Sequence, residues 1–175
     1  MKKILLLLAD GFEALEASMF TDVFGWNKWE GDGSTEIVTV GFHKKLKCTW
    51  NLTIIPEKTI SEIDVEEFDA LAIPGGFEEA DFYNDAFDER FLEIINKSGI
   101  LTNRNATTYS HPTSHRIEQL RTFGAIVQNM PIVQDGHLIT SSNPASGFDV
   151  AFLLLEKLTS EKNVKRVKEL MGFEI

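Results

Sequence analysis

The stretch Ile4-Leu5-Leu6-Leu7-Leu8 is an unbroken aliphatic run that stops at Ala9-Asp10-Gly11, with two glutamates, Glu13 and Glu16, close behind. A strand with one face in water alternates apolar and polar residues. A run without alternation belongs to a parallel strand covered on both faces. Met1-Lys2-Lys3 imitates the start of a signal peptide. The apolar stretch Ile4–Ala9 is too short for one, however, ends in Asp, and has no small-residue cleavage site, so it reads as a first strand.

A second apolar run, Ala70–Ile73, ends in Pro74-Gly75-Gly76. Between the two runs, residues 14–29 place Leu15, Met19, Val23, Phe24 and Trp26 close to helical spacing, and Glu36–Phe42 alternates as a β-rich strand. Residues 46–56 read as short strands with a turn near Asn51, and "ISEIDVEEFD" as a short helix or turn. Further on, residues 85–97 predict an amphipathic helix with Phe87, Phe91, Ile94 and Ile95 inward. "NATTYS" is a short β-rich piece, and Pro112 suits the first turn of a helix over about 113–122. "IVQNMPIVQDGHLITSS" reads as strands with a hairpin at Asp135-Gly136. Residues 147–155 and 161–171 predict two more helices, the first strongly apolar. Strands alternating with helices around buried parallel runs predict an α/β sandwich in one domain over 1–175, with function at the carboxyl ends of the strands.

The totals exclude several classes. A net charge of −10 and the absence of a basic stripe argue against nucleic-acid binding, which needs clustered Lys and Arg. No segment approaches the apolar length of a membrane span. A single cysteine, Cys48, allows no internal disulfide and suits a reducing cytoplasm. No phosphate loop, dinucleotide fingerprint or metal-ligand set stands out, so no cofactor and no metal are expected.

Two stretches sit where function should gather, "ADGFEALE" and "PGGFEEADFY". Glu13 at a helix start is accounted for by the helix dipole. Glu16 has two readings: the same dipole effect, or a half-buried carboxyl with a raised pKa that shares a proton with a neighbour. Gly75-Gly76 is either a tight turn or a turn that aims N–H groups at a developing negative charge. His111 and His115 have an i, i+4 spacing that can bind a metal, but without a third ligand they read as capping or surface residues. His43 and His137 read as strand-end or turn residues. Lysines 44, 45 and 47 would favour a Cys48 thiolate, yet its place in a short strand points to a structural cysteine.

Together "ILLLLADGFEALEA", "FDALAIPGGFEEADFY", "ILTNRNATTYSHP" and "VQDGHLITSSNPASGFDVAFLLLEKL" resemble the ThiJ/PfpI family, the protein-deglycase-like branch of the class I glutamine-amidotransferase-like superfamily. The resemblance implies a flavodoxin-like three-layer sandwich with a mostly parallel central sheet. It also implies thiol-dependent hydrolase or deglycase chemistry on small carbonyl or amide groups. Glu16 then corresponds to the glutamate that bonds the family's thiol, Gly75 and Gly76 to the oxyanion turn, and His111 to the nearby histidine. A small-molecule substrate or ligand and a cytoplasmic homodimer are expected, closed pairs being the commonest soluble oligomers.

One departure stands out. After the helix at 85–97 the family pattern has an apolar strand, a cysteine on a strained elbow, and a helix. Here Asn96-Lys97 runs straight into Ser98-Gly99-Ile100-Leu101, which matches the far end of that helix. About 20 residues are absent at the usual lengths of such elements, and Cys48 precedes the Gly-Gly strand, on the wrong element. The protein has lost the segment, or the segment exists in the cellular protein outside these 175 residues, or its work has moved elsewhere, for which no residue stands out. The "NATTYS" piece could fill the vacated slot, though its hydroxyls suit it poorly. Two functions follow: a thiol-dependent enzyme whose elbow cysteine lies outside these residues, or a non-catalytic relative that binds, senses stress or acts as a chaperone.

Overall fold

The aliphatic run forms the centre of a parallel sheet. In the computed structural model, which describes residues 1–97, 102–112 and 114–174, Ile4–Leu8 are all at most 1% exposed. In chain order the strands are β1 (Lys2–Leu8), β2 (Thr35–Gly41), β3 (Leu46–Lys47), β4 (Thr53–Ile54), β5 (Lys58–Thr59), β6 (Ala70–Ala72), β7 (Asn105–Ala106), β8 (Ile126–Val127), β9 (Ile132–Asp135) and β10 (Leu138–Ser141). The helices are α1 (Ala14–Trp29), α2 (Phe82–Ala86), α3 (Glu89–Lys97), α4 (Arg116–Thr122), α5 (Gly147–Leu158) and α6 (Glu161–Met171). The central sheet has the order β5-β2-β1-β6, all parallel. β1 runs against β2 from Lys2↔Thr35 to Leu8↔Gly41, and against β6 from Ile4↔Ala70 to Leu6↔Ala72. This is the expected α/β, flavodoxin-like arrangement.

α1 shows why Glu16 matters. Its stripe Phe20, Val23, Phe24 and Asn27 is buried, and Glu16 lies on the same side by helical spacing. The opposite stripe carries Leu15, Asp22, Trp26 and Trp29, all exposed. Of the apolar residues at helical spacing, Met19, Val23 and Phe24 are buried while Leu15 and Trp26 face out. α5 and α6 pack against α1, and Gly147 lets α5 come so close that a Cβ there would collide with the Met19 sulfur. A buried amide network closes this side. Asn27 Nδ2 donates to Thr35 Oγ1 at 2.8 Å, and Asn163 Nδ2 donates to Asn27 Oδ1 at 2.6 Å.

The other side of the sheet is built differently. Among the described residues, β6 pairs with β1 alone. Ala70, Leu71 and Ile73 are only half-buried, where a central strand would be sealed. The "NATTYS" segment does not fill the slot. β7 pairs with β8, Thr107 N–H donates to Thr140 Oγ1, and Asn105 N–H donates to Asp135 Oδ2, so its polar groups are committed to the β8–β10 unit. β9 and β10 form the expected hairpin around Asp135-Gly136.

Smaller differences have local causes. The 85–97 helix is broken into α2 and α3, which leaves Phe87 53% exposed while Phe91 and Ile94 are buried. α4 begins at Arg116, so Pro112 lies ahead of the helix and not in its first turn; Thr113 lies outside the described residues. So does Ser98–Leu101, the stretch matched to the end of the missing helix.

Candidate functional site

The carboxyl ends of β1 and β6 meet at one turn. Leaving β1, the chain bends at Gly11, whose φ of +68° and close approach to the Ala80 carbonyl both require a residue without Cβ. Phe12 then bridges Gly76, and Glu13 N–H donates to the Gly75 carbonyl at 2.7 Å. One helical turn later the Glu16 Oε2 accepts from Gly75 N–H at 2.5 Å. The Gly75 residue is thus held at both its N–H and its C=O by the first turn of α1. A Cβ on Gly75 would lie 3.2 Å from Glu16 Oε2; one on Gly76 would strike the Phe82 ring and fall 2.5 Å from the Gly11 carbonyl.

Burial pushes the Glu16 carboxyl above its ordinary pKa. The Gly75 N–H bond opposes this, the neighbouring Glu13 carboxylate adds to it, and the Arg116 guanidinium opposes it again. Glu16 is half-buried, and it also lies in the first turn of α1, where a carboxylate complements the helix dipole. The Gly75 N–H is taken by Glu16, while no described residue accepts from the Gly76 N–H.

Two residues at this site were not singled out from the sequence. The half-buried Arg116 donates from Nη2 to the Gly76 carbonyl at 3.4 Å and lies with Cζ 5.1 Å from the Tyr83 ring centre. Burial raises the Tyr83 hydroxyl pKa, with Arg116 opposing. The Arg116–Gly76 contact spans 40 residues, and no local pattern encodes it.

His111 is exposed and stacks on Tyr109 with ring centres 6.1 Å apart. The segment that carries it reaches the turn through Arg116. His115 is exposed, and among the described residues no group of His, Cys, Asp or Glu could hold a metal. His43 lies just past β2, with Nε2 3.0 Å from Asp85 Oδ1, while Asp85 Oδ2 accepts from Asp10 N–H at 2.7 Å.

Cys48 is 1% exposed, and its N–H donates to the Leu52 carbonyl in the β3–β4 turn. Burial raises its thiol pKa, and Asp10 adds to the rise. Lysines 44, 45 and 47 are all exposed, so they do not produce the low-pKa thiol their proximity in sequence suggests. Cys48 is structural.

A parallel α/β sheet whose first helix clamps a Gly-Gly turn at the sheet's carboxyl edge defines a class within the flavodoxin-like folds. Residues 2–98 match the model of the DJ-1/PfpI family, and the chain belongs to that family. It is 24% identical to the protein DJ-1alpha of Drosophila melanogaster over 189 residues, covering 97% of this chain and 83% of that one. To dj-1beta of the same species it is 21% identical, covering 95% and 94%. The crystal structure of Drosophila melanogaster DJ-1beta superposes with a TM-score of 0.79 at 18% identity, covering 99% of both chains. A THiJ/PfpI family protein from Pseudomonas syringae gives 0.81 at 19% identity, over 99% of this chain and 76% of that one.

The alignment with DJ-1alpha has a telling length. It runs over 189 residues but takes in 97% of 175, about 170, so roughly 19 positions have no residue here. The family match itself ends at residue 98. Among the described residues, no helix is long and apolar enough to cross a membrane.

Proposed function

We propose that this chain is a non-catalytic DJ-1/PfpI protein that uses the Glu16–Gly75–Gly76 turn to bind a small carbonyl or amide compound and performs no thiol chemistry. The observation that carries this reading is the state of its sole cysteine, sealed in the β3–β4 turn with its thiol held protonated by burial. A nucleophilic thiol must reach the substrate and ionise, and Cys48 does neither. In the binding role, the Gly76 N–H donates to the ligand oxygen, the Glu16 carboxyl fixes the turn by accepting from the Gly75 N–H, and His111 takes the part of the family's nearby histidine. The protein works in the cytoplasm as a homodimer; the outward stripe of Leu15, Trp26 and Trp29 on α1 is apolar surface that a second copy would cover.

The test is turnover of methylglyoxal by the purified chain, by C48A and by E16Q. All three rates are expected at the level of the uncatalysed reaction, with saturable binding of an amide probe by the parent and weakened binding by E16Q. A rate that depends on Cys48 contradicts the reading.

The second reading, a thiol-dependent hydrolase, is favoured by two specific observations: Glu16 accepts from the Gly75 N–H, and among the described residues no strand pairs with the far edge of β6. It requires a second cysteine that these 175 residues do not contain.

A further inference from the structure

A cleft of about 310 Å³ opens beside the Gly-Gly turn, lined by Thr49, Trp50, Phe77, Glu79 and Ala80. Its two aromatic walls, Trp50 and Phe77, stand with ring centres 5.5 Å apart and planes inclined at 53°. Both are exposed, at 68% and 41%, so each ring keeps surface in contact with solvent at the rim of the cleft. The indole is held in place: Trp50 Nε1 donates to Glu13 Oε1 at 3.2 Å, and Glu13 is 8% exposed and tied by its N–H to Gly75. A carboxylate accepting from the indole N–H pushes electron density into the ring, which makes its face more attractive to a positive charge. Glu79 places a second carboxylate at the wall, with Glu78 next to it in the chain, and the chain as a whole carries a net charge of −10. An electron-rich aromatic corner, a carboxylate and a strongly negative field suit one chemistry, a soft organic cation.

We propose that this cleft binds a small free organic cation, a guanidinium or alkylammonium compound, by cation–π contact with Trp50 and Phe77 and pairing with Glu79. The site is independent of the proposed role of Glu16, which does not line it. The contacts are partly exposed, so binding is of low affinity and weakens with salt.

The test follows the indole N–H resonances of the full chain by NMR, with Trp50 assigned through W50F, while L-argininamide is added. L-citrullinamide, the uncharged analogue of nearly the same shape, serves as control. Argininamide is expected to shift the Trp50 resonance saturably and leave Trp26 and Trp29 in place, with citrullinamide inert at the same concentration. E79Q is expected to weaken binding by about fivefold, and W50L, read from the backbone amide resonances of Phe77 and Ala80 because its indole is gone, by about tenfold or more. Both residues are exposed, so the fold survives, and the spectrum of each variant checks it. E16Q is expected to bind argininamide like the parent, which separates this proposal from the function of the Gly-Gly turn. Equal shifts from citrullinamide, no saturable shift, or E79Q and W50L binding like the parent would each overturn the proposal. A blocked Gly-Arg-Gly peptide that binds more tightly than argininamide would replace the free cation with an arginine in a protein chain and overturn it on that point.

Discussion

The two edges of β1 lead into unlike halves of the molecule. Toward β2 the sheet is continuous: seven residue pairs run in register, α1, α5 and α6 seal it, and buried amides of Asn27 and Asn163 are satisfied by each other and by Thr35. Toward β6 the pairing shortens to three residue pairs, the strand is half-buried, and no described residue bonds its far edge. A strand at the middle of a parallel sheet is composed for burial on both sides, and Leu71 and Ile73 are composed that way. Leu71 and Ile73 keep that composition although no described residue bonds the far edge of β6, and this is the half that carries the candidate site.

The largest expected effect lies on β1, the strand the two halves share. Leu6→Ala empties a fully buried position between β2 and β6 and is expected to cost about 2–5 kcal/mol in chemical unfolding. Leu71→Ala on β6 should cost about 1 kcal/mol, since the side chain already meets water. Equal costs would mean that the open edge is covered in solution. The turn between the halves comes next. Gly76→Ala forces a methyl group into Phe82 and the Gly11 carbonyl and is expected to cost about 1–3 kcal/mol. Gly75→Ala meets only the end of the Glu16 side chain and should cost less, while lowering affinity for an amide probe. Asn27→Ala leaves the Asn163 amide and the Thr35 hydroxyl short of a partner inside the sealed half, for about 1–3 kcal/mol.

The smallest effect is a difference in pH response. Glu16 has its pKa raised above the ordinary 4.5 by burial, so the folded chain binds its proton more tightly than the unfolded chain. Its contribution to stability is complete below 4.5 and is lost as pH rises through the raised value. Asp135 is the opposite case. Asn105 donors and Arg104 hold its pKa below the ordinary 3.8, so its contribution is present above 3.8 and is lost as pH falls through the lowered value. The stability of the parent relative to E16Q should therefore decline with rising pH, and relative to D135N it should decline with falling pH. Unfolding curves at several pH values check both signs.

Much of this contrast was legible in the residues. The run Ile4–Leu8, the alternation in β2, the Asp135-Gly136 hairpin and the bounds of α1 and α6 rest on local patterns of period and turn chemistry, and each was found where expected. The convergence of Glu16 with Gly75 was legible only through the family resemblance. Position 16 falls on the buried stripe of α1, but nothing in its neighbourhood says that a glycine 59 residues away will donate to it. Arg116 and Tyr83 were missed for the same reason, since their roles come from contacts across the chain. The helical spacing of Leu15, Met19, Val23, Phe24 and Trp26 located α1 but did not separate its buried stripe from the exposed Leu15 and Trp26, because an apolar side chain does not by itself say which face of a helix it lies on. β7 could not be placed from its composition, because its partners are fixed by Asp135 and Thr140 well downstream.

The central claim is that this protein has a β6 edge without an elbow strand and therefore a site without a nucleophile. The most direct measurement is a peptide map of the protein isolated from its own cells, treated with iodoacetamide and cut after glutamate. The account predicts the peptide Ile94–Glu118, in which Lys97 runs directly into Ser98 and which holds no alkylated cysteine. A peptide longer by about 20 residues, the length of a strand and a helix of ordinary size, and carrying an alkylated cysteine would contradict it and return the thiol to the site.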